Sequence, residues 1–276
     1  MLGSGSAGNS ALVATDHSKI LIDGGLSARQ IVLRLEQCSI TPEQLDGILL
    51  THEHGDHVCG LEVLCRKLDV PIYANALTAE AVRSDGAFDN YRNWRIFRTG
   101  AEFAICDILV QAFPVPHDAV DPVGFAFYAG SSALGFITDL GYATKMIVER
   151  LRQVHTLVIE TNHDEKLLQS DTHRPWPVKQ RIQSRHGHLS NNAAATLIEE
   201  LLPGKIDRLV LGHLSRDCNT PALALQTVRS ALNKSGKIDI ELFCATQSEI
   251  SPRFHIGETE GGVFQPTFEN AFFPAA

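Results

Sequence analysis

No run of about 18 apolar residues occurs anywhere in the chain, which argues against a membrane-spanning helix. The first residues also lack the basic stretch and apolar core of a secretory leader, so a cytoplasmic chain with no membrane partner is expected. Cys38, Cys59, Cys65, Cys106, Cys218 and Cys244 form no CxxC pair and are scattered, as suits reduced packing thiols in a cytoplasm. Cys59 stands close to His57, but the nitrogen and oxygen donors around it leave no need for a thiolate. Positive charge is scarce: 24 Lys and Arg stand against 32 Asp and Glu, a net charge of −8. That balance is awkward for a nucleic-acid partner, whose phosphates draw affinity from cations, although local distribution matters more than the sum. There is no internal repeat and no low-complexity linker.

What is present is an ordinary globular composition, with 276 residues, 44% hydrophobic and 20% charged. One feature stands out. Gly47-Ile-Leu-Leu50 runs into Thr51-His-Glu-His-Gly-Asp-His57, placing His52, His54, Asp56 and His57 within six positions. A short apolar run that ends in clustered ligands reads as a buried strand delivering metal ligands to a loop. Imidazole is the commonest metal ligand, and aspartate adds a hard oxygen that can hold a water. A two-metal hydrolase site needs about eight to ten donor bonds, so further ligands must arrive from elsewhere. Three residues fit, each at the end of an apolar run: His117, Asp139 and His213. These candidates span residues 52 to 213, which favours a single domain over 1–276, with a core of about 3–245 and a tail of 246–276.

The early half reads as short strands bounded by Gly, Pro or Asp: 11–13, 20–23, 47–50, 71–73, 103–105, 108–113, 123–128 and 133–137. Helical periodicity appears over 27–37, after the cap Ser190, and over 220–234 ahead of Gly236. Core strands with amphipathic helices outside predict an α/β (α+β) fold, a four-layer αββα sandwich. Only 73 residues separate Asp139 from His213, too few for an added lid domain.

In this order, HxHxDH, a distant His, an Asp and a last His resemble the signature of the metallo-β-lactamase-fold hydrolases. Gly3-Ser-Gly-Ser-Ala-Gly-Asn-Ser10, Ile20-Leu-Ile-Asp-Gly-Gly25, Ile159-Glu-Thr-Asn-His-Asp164 and His186-Gly-His-Leu-Ser-Asn-Asn192 resemble the YycJ/WalJ-like exonuclease branch. The resemblance implies the same sandwich fold. It puts His52, His54 and His117 on a first metal and Asp56, His57 and His213 on a second, with Asp139 bridging. Zn²⁺, Mn²⁺ and Fe²⁺ all suit such donors. The implied activity is a phosphodiesterase acting on DNA with a 5′-phosphate end, a 5′-to-3′ exonuclease linked to repair.

A water shared by two divalent cations loses a proton near neutral pH and becomes a nucleophile. Asp56 is the expected orienting residue, and His188, in a segment like that of tRNA-processing relatives, is the expected proton donor, with a helix-start cap as its alternative. Ser4, Ser6, Asn9 and Ser10 either present hydroxyl and N–H groups to a terminal phosphate or form a plain glycine turn. Segment 172–188 contains no acid, which makes Arg174, Lys179, Arg181 and Arg185 candidate phosphate contacts. The aromatic-basic stretch 91–98 reads instead as a solvated surface strand. His163 and Asp164 are candidates for holding a ligand imidazole; His17, His155, His173 and His255 read as surface residues. A thioester or lactone hydrolase is the competing reading, since fold does not fix function. A di-iron oxygen-reducing centre would need a carboxylate where His54 stands, and an inert binding module sits poorly with an intact Asp56.

Overall fold

Alternation along the strands sorts the side chains into layers. In the computed structural model, which describes residues 1–84, 86, 88 and 90–257, Ile20 and Ile22 enter one apolar cluster and Leu21 another. Ile48 and Leu50 likewise point away from Leu49, and Leu157 and Ile159 away from Val158. A period of two with both faces apolar means strands buried on both sides.

The first sheet has five strands in spatial order β1 (Ala11–Ala14), β2 (Lys19–Ile22), β3 (Gly47–Leu49), β4 (Ile72–Asn75) and β5 (Trp94–Phe97). The second has seven: β6 (Glu102–Ile105), β7 (Ile108–Pro114), β8 (Val123–Ala129), β9 (Ser132–Ile137), β10 (Thr156–Glu160), β11 (Arg208–Gly212) and β12 (Glu241–Cys244), in spatial order from β12 down to β6. Ile20, Ile22, Leu49, Phe97, Phe103, Phe125, Val158 and Val210 fill the space between the sheets.

Helices cover the outer faces. Ile31 and Leu35 of α1 (Ala28–Gln37), Leu61 and Leu64 of α3 (Leu61–Cys65) and Ala79 and Val82 of α4 (Ala76–Arg83) pack on the first sheet. On the second lie α5 (Lys145–Leu151), α8 (Asn191–Leu201) and α9 (Pro221–Lys234). The expected cap Ser190 accepts a backbone N–H at the start of α8, and Ser27 and Thr220 do the same for α1 and α9. Gly236 follows α9 with φ +69°, the left-handed conformation that ends helices. Between β9 and β11 the chain forms α5, β10, α6 (Glu165–Ser170), α7 (Trp176–Ile182) and α8, with no inserted domain.

The aromatic-basic stretch 91–98 divides its roles along β5. Trp94 and Phe97 are buried and Arg95 is exposed. His17, His173 and His255 are exposed as expected, but His155 is half-buried and accepts the Ala133 N–H, helping to hold β9 and β10 together. After β12 the chain is a strap rather than a frayed end. Thr246 O accepts from Ser4, Gln247 bonds Ala7 N and Gly8 O, and Arg34 donates to the carbonyls of Leu2, Gln247 and Ser248. The rest of the tail lies outside the described residues.

Candidate metal centre

β9, β10 and β11 run parallel in register, and β7 shares their direction because both β7 and β9 are antiparallel to β8. Their carboxyl ends therefore lie along one edge, where open sheets collect ligands. His117 follows β7, Asp139 follows β9, Glu160 ends β10 and His213 follows β11. The first sheet brings His52 and His54 after β3. Asp56 and His57 are not in a loop, as the sequence suggested, but in the short helix α2 (Gly55–Val58), whose turn swings them back over the strand end. Asp139 and His213 take left-handed φ values of +56° and +53°. That conformation costs about 1–3 kcal/mol at a non-glycine residue and is kept where the surroundings enforce it.

All seven residues meet. His52, His54 and His117 offer donor atoms within 4.8 Å of one another, and so do Asp56, His57 and His213, and His52, His57 and Asp139. Nε2 of His213 is 3.3 Å from Asp56 Oδ2, and Nε2 of His57 is 3.1 Å from Asp139 Oδ2. Nε2 of His117 is 3.3 Å from Nδ1 of His54 and 3.7 Å from Asp139 Oδ1.

The other ring nitrogen of most of these imidazoles has a fixed partner. His57 Nδ1 is 2.7 Å from Asp23 Oδ2, His213 Nδ1 and His188 Nδ1 are each 2.7 Å from Glu160 Oε1, and His117 Nδ1 is 3.0 Å from Gly187 O. Carboxylates and carbonyls only accept, so Nδ1 carries the hydrogen and Nε2 is left for the cluster. Thr51 donates its hydroxyl hydrogen to Asp23 at 2.8 Å, so His52 Nδ1, 3.0 Å away, donates to Thr51. Glu160 Oε2 is itself held by the N–H groups of Leu140 and Leu189. Such partners fix tautomer and ring direction.

Asp23 and Glu160 are the residues that sequence reasoning missed. His163 and Asp164, singled out for that role, lie elsewhere: Asp164 caps α6 through the N–H groups of Lys166 and Leu167, and buried His163 holds no ligand ring.

The electrostatics suit a cation. Burial opposes a charge on His57, but Asp139 and Asp23 outweigh it and push its pKa up to about 10. Burial is likewise overcome at His213, held well above its ordinary value by Asp139, Asp56 and Glu160. Asp139 stays well below the carboxylate range despite burial, through His213 and His57. Protons thus hold places that a metal would take. His52 Nε2 and Asp139 Oδ2 are buried without a hydrogen bond, Asp139 Oδ2 having only its ion pair with His57. Unsatisfied buried donor and acceptor atoms of ligand type, converging on one point, fit a divalent cation.

A cavity of about 370 Å³ opens over the cluster, lined by Ser6, Arg174, Arg181, His188 and Ser215 among others. Of the phosphate candidates, Ser6, Arg174 and Arg181 face it. Arg174 is paired with Asp171 and Asp217, and Arg181 with Asp118. Lys179 is buried, with its ammonium on the carbonyls of Gln169 and Asp171, and Arg185 stacks on Tyr142. Ser4, Asn9 and Ser10 turn inward. Ser10 donates to Asp23 O, Ser4 accepts from His213 N and donates to Asn9, and Asn9 Nδ2 lies 3.4 Å from Asp56 Oδ2. The glycine loop thus joins Asp56 of α2 to His213, which follows β11. Cys59, exposed, contacts Gly25 O rather than the cluster.

Residues 18–214 match the model of the Beta-lactamase superfamily domain. The chain belongs to the β-lactamase superfamily. It is 37% identical over 237 residues to exodeoxyribonuclease YycJ of Bacillus anthracis, covering 86% of this chain and 89% of that protein. It is also 37% identical over 235 residues to exodeoxyribonuclease WalJ of Streptococcus pneumoniae, covering 84% and 87%. Its fold is similar to the metallo-β-lactamase fold protein YhfI from Bacillus subtilis, with TM-score 0.67, 16% identity and coverage of 89% and 94%. The chain is thus a hydrolase of the superfamily, on the YycJ/WalJ branch.

Proposed function

We propose that the chain is a phosphodiesterase dependent on two divalent cations, Zn²⁺ or Mn²⁺ with Fe²⁺ also suited, that degrades DNA from a 5′-phosphorylated end, 5′ to 3′, in the cytoplasm. The observation that carries this reading is the meeting of His52, His54, Asp56, His57, His117, Asp139 and His213 beneath a cavity into which His188 also faces. His52, His54 and His117 would hold one cation and Asp56, His57 and His213 the other, with Asp139 available to both. Bound there, the cations supply Lewis acidity that activates water near neutral pH and offsets charge on the phosphoryl oxygens.

The protein's own groups do the rest. Asp56, half-buried at the cavity, accepts a hydrogen bond from the attacking water and sets its direction. His188 is 22% exposed through its side chain and keeps Nδ1 on Glu160. Burial is outweighed there by Glu160, which raises its pKa, so the ring holds a proton to give to the departing oxygen. Arg174, Arg181 and Ser6 line the cavity wall and would meet phosphate oxygens there, the two arginines in exchange for their present carboxylate partners. Similarity to exodeoxyribonucleases supports a DNA substrate, and the free cysteines suit a reducing compartment. No described helix is long and apolar enough to cross a membrane.

The test is a 5′-phosphorylated, labelled DNA duplex incubated with metal-loaded protein. Stepwise shortening from the 5′ end is expected, stopped by chelation, restored by Mn²⁺ or Zn²⁺, and lost in Asp56→Ala. Intact DNA across the metal series would overturn the reading. His188→Ala separates it from thioester hydrolysis, whose thiolate leaving group needs no strong acid.

A further inference from the structure

The cation assigned to His52, His54 and His117 draws its ligands from both sheets. His54 follows β3 and His117 follows β7, yet His54 Nδ1 and His117 Nε2 stand 3.3 Å apart. Two nitrogens bound at about 2.0–2.1 Å in a tetrahedral shell are separated by about 3.4 Å, so this spacing suits a shared cation. Ligands of such a site have to be held to within about 0.5 Å. For His52, His57, His117 and His213 the outer ring nitrogen has a partner that fixes the ring. Among the described residues no hydrogen bond reaches the outer ring nitrogen of His54, whose Nδ1 meets only His117. Its distance from His117 therefore depends on how the two loops are joined.

Glu53 stands between the two ligands of the first sheet's loop. Its Oε1 accepts the Val120 N–H at 2.9 Å. Val120 lies three residues past His117 in the loop 115–122 that joins β7 to β8. The neck of this loop is closed by Val115 N on Pro122 O, and its end is fastened by Asn75 and Thr99 on Asp121 and by Val123 N on Thr51 O. Its start is held from the α7 side, by His186 O and Arg181 on Asp118. The middle has no apolar anchor, since Val120 is 50% exposed. Apart from the contact between the two rings, the Glu53 bond is the side-chain link between this loop and the run 52–57 among the described residues. The other carboxylate oxygen, Oε2, is buried with no hydrogen bond. A bare oxygen inside the protein costs stability, so packing does not account for the residue.

We propose that Glu53 is a positioning residue for the cation of His52, His54 and His117: by holding Val120 it keeps His117 at the distance from His54 that a shared cation requires. This rests on the two-cation reading and deepens it by naming what aligns the two sheets at that ion.

The test counts Zn²⁺ per chain by equilibrium dialysis over graded free Zn²⁺, using full-length wild type, Glu53→Ala and Glu53→Gln. Glu53→Ala should weaken one of the two cations about tenfold or more and leave the other unchanged. Glu53→Gln keeps an oxygen for the Val120 N–H and should recover most of that loss. Anomalous scattering from Glu53→Ala crystals at limiting Zn²⁺ should lose the peak among His52, His54 and His117 and keep the one among Asp56, His57 and His213. After chelation Glu53→Ala should melt only a few degrees below wild type, because a single hydrogen bond is gone. Wild-type affinity for both cations in Glu53→Ala, equal weakening of both, or a Gln variant as weak as the Ala variant would overturn the positioning role and leave the two-cation site standing. Wild-type protein that never holds two Zn²⁺ would overturn both together.

Discussion

Two carboxylates set the direction of the histidines that matter most. Asp23 fixes His57 and, through Thr51, His52, while Glu160 fixes both His188 and His213. Glu160 therefore links a metal-side ring to the proposed proton donor. Removing its charge as Glu160→Gln should weaken metal binding about 10- to 100-fold, and Asp23→Asn should do the same. Isothermal titration with Zn²⁺ or Mn²⁺ checks both, and full affinity in either variant would contradict this account. The raised His57 pKa gives a pH signature in the metal-free protein. Its folded value of about 10 exceeds the ordinary 6.5, so the stabilisation is complete below about pH 6.5 and drains away as pH rises toward 10. Metal must displace that proton, so metal affinity should climb with pH over the same window. Thermal melts of chelated and loaded protein from about pH 6.5 to 10 should show the chelated form losing stability faster.

Close backbone contact fastens the elements around the site. A Cβ at Gly25 would come within 1.6 Å of Asp56 O, so the turn after β2 and helix α2 fit only with glycine there. Gly25→Ala should displace α2 and lose metal and activity together, measurable as metal content per chain. Gln247 carries the strap's grip on the glycine loop through two hydrogen bonds. Gln247→Ala should cost about 1–3 kcal/mol and loosen the Ser4–Asn9–Asp56 chain, read as a lower melting temperature with weaker metal binding. Legibility in the sequence follows the same division. The heptapeptide was readable because few residue types bind metal, and β2, β3, α1, α8 and α9 because apolar period and caps agreed. Asp23 and Glu160 were not, since a single acid at a strand end looks the same whether it caps a turn or holds a histidine. Helix α7 has too few residues to show a period and starts among prolines, so the burial of Lys179 and the exposure of Trp176 needed coordinates.

Across the molecule, the metal centre is a seam. Four of the seven residues come from the first sheet's side and three from the second, so cations bound there would tie the two halves together. Metal removal should therefore lower the melting temperature of the whole protein. At about 100 times Kd each bound cation adds about 2.7 kcal/mol, or roughly 5–10 °C per cation for a chain of this size. Calorimetry with and without chelator measures it. The most direct measurement of the central claim is anomalous scattering from metal-loaded crystals, collected at the absorption edge of the bound metal. Two peaks are predicted, one among His52, His54 and His117, the other among Asp56, His57 and His213, with Asp139 between them. A metal-saturated crystal with a single peak, or with none at this cluster, would contradict it.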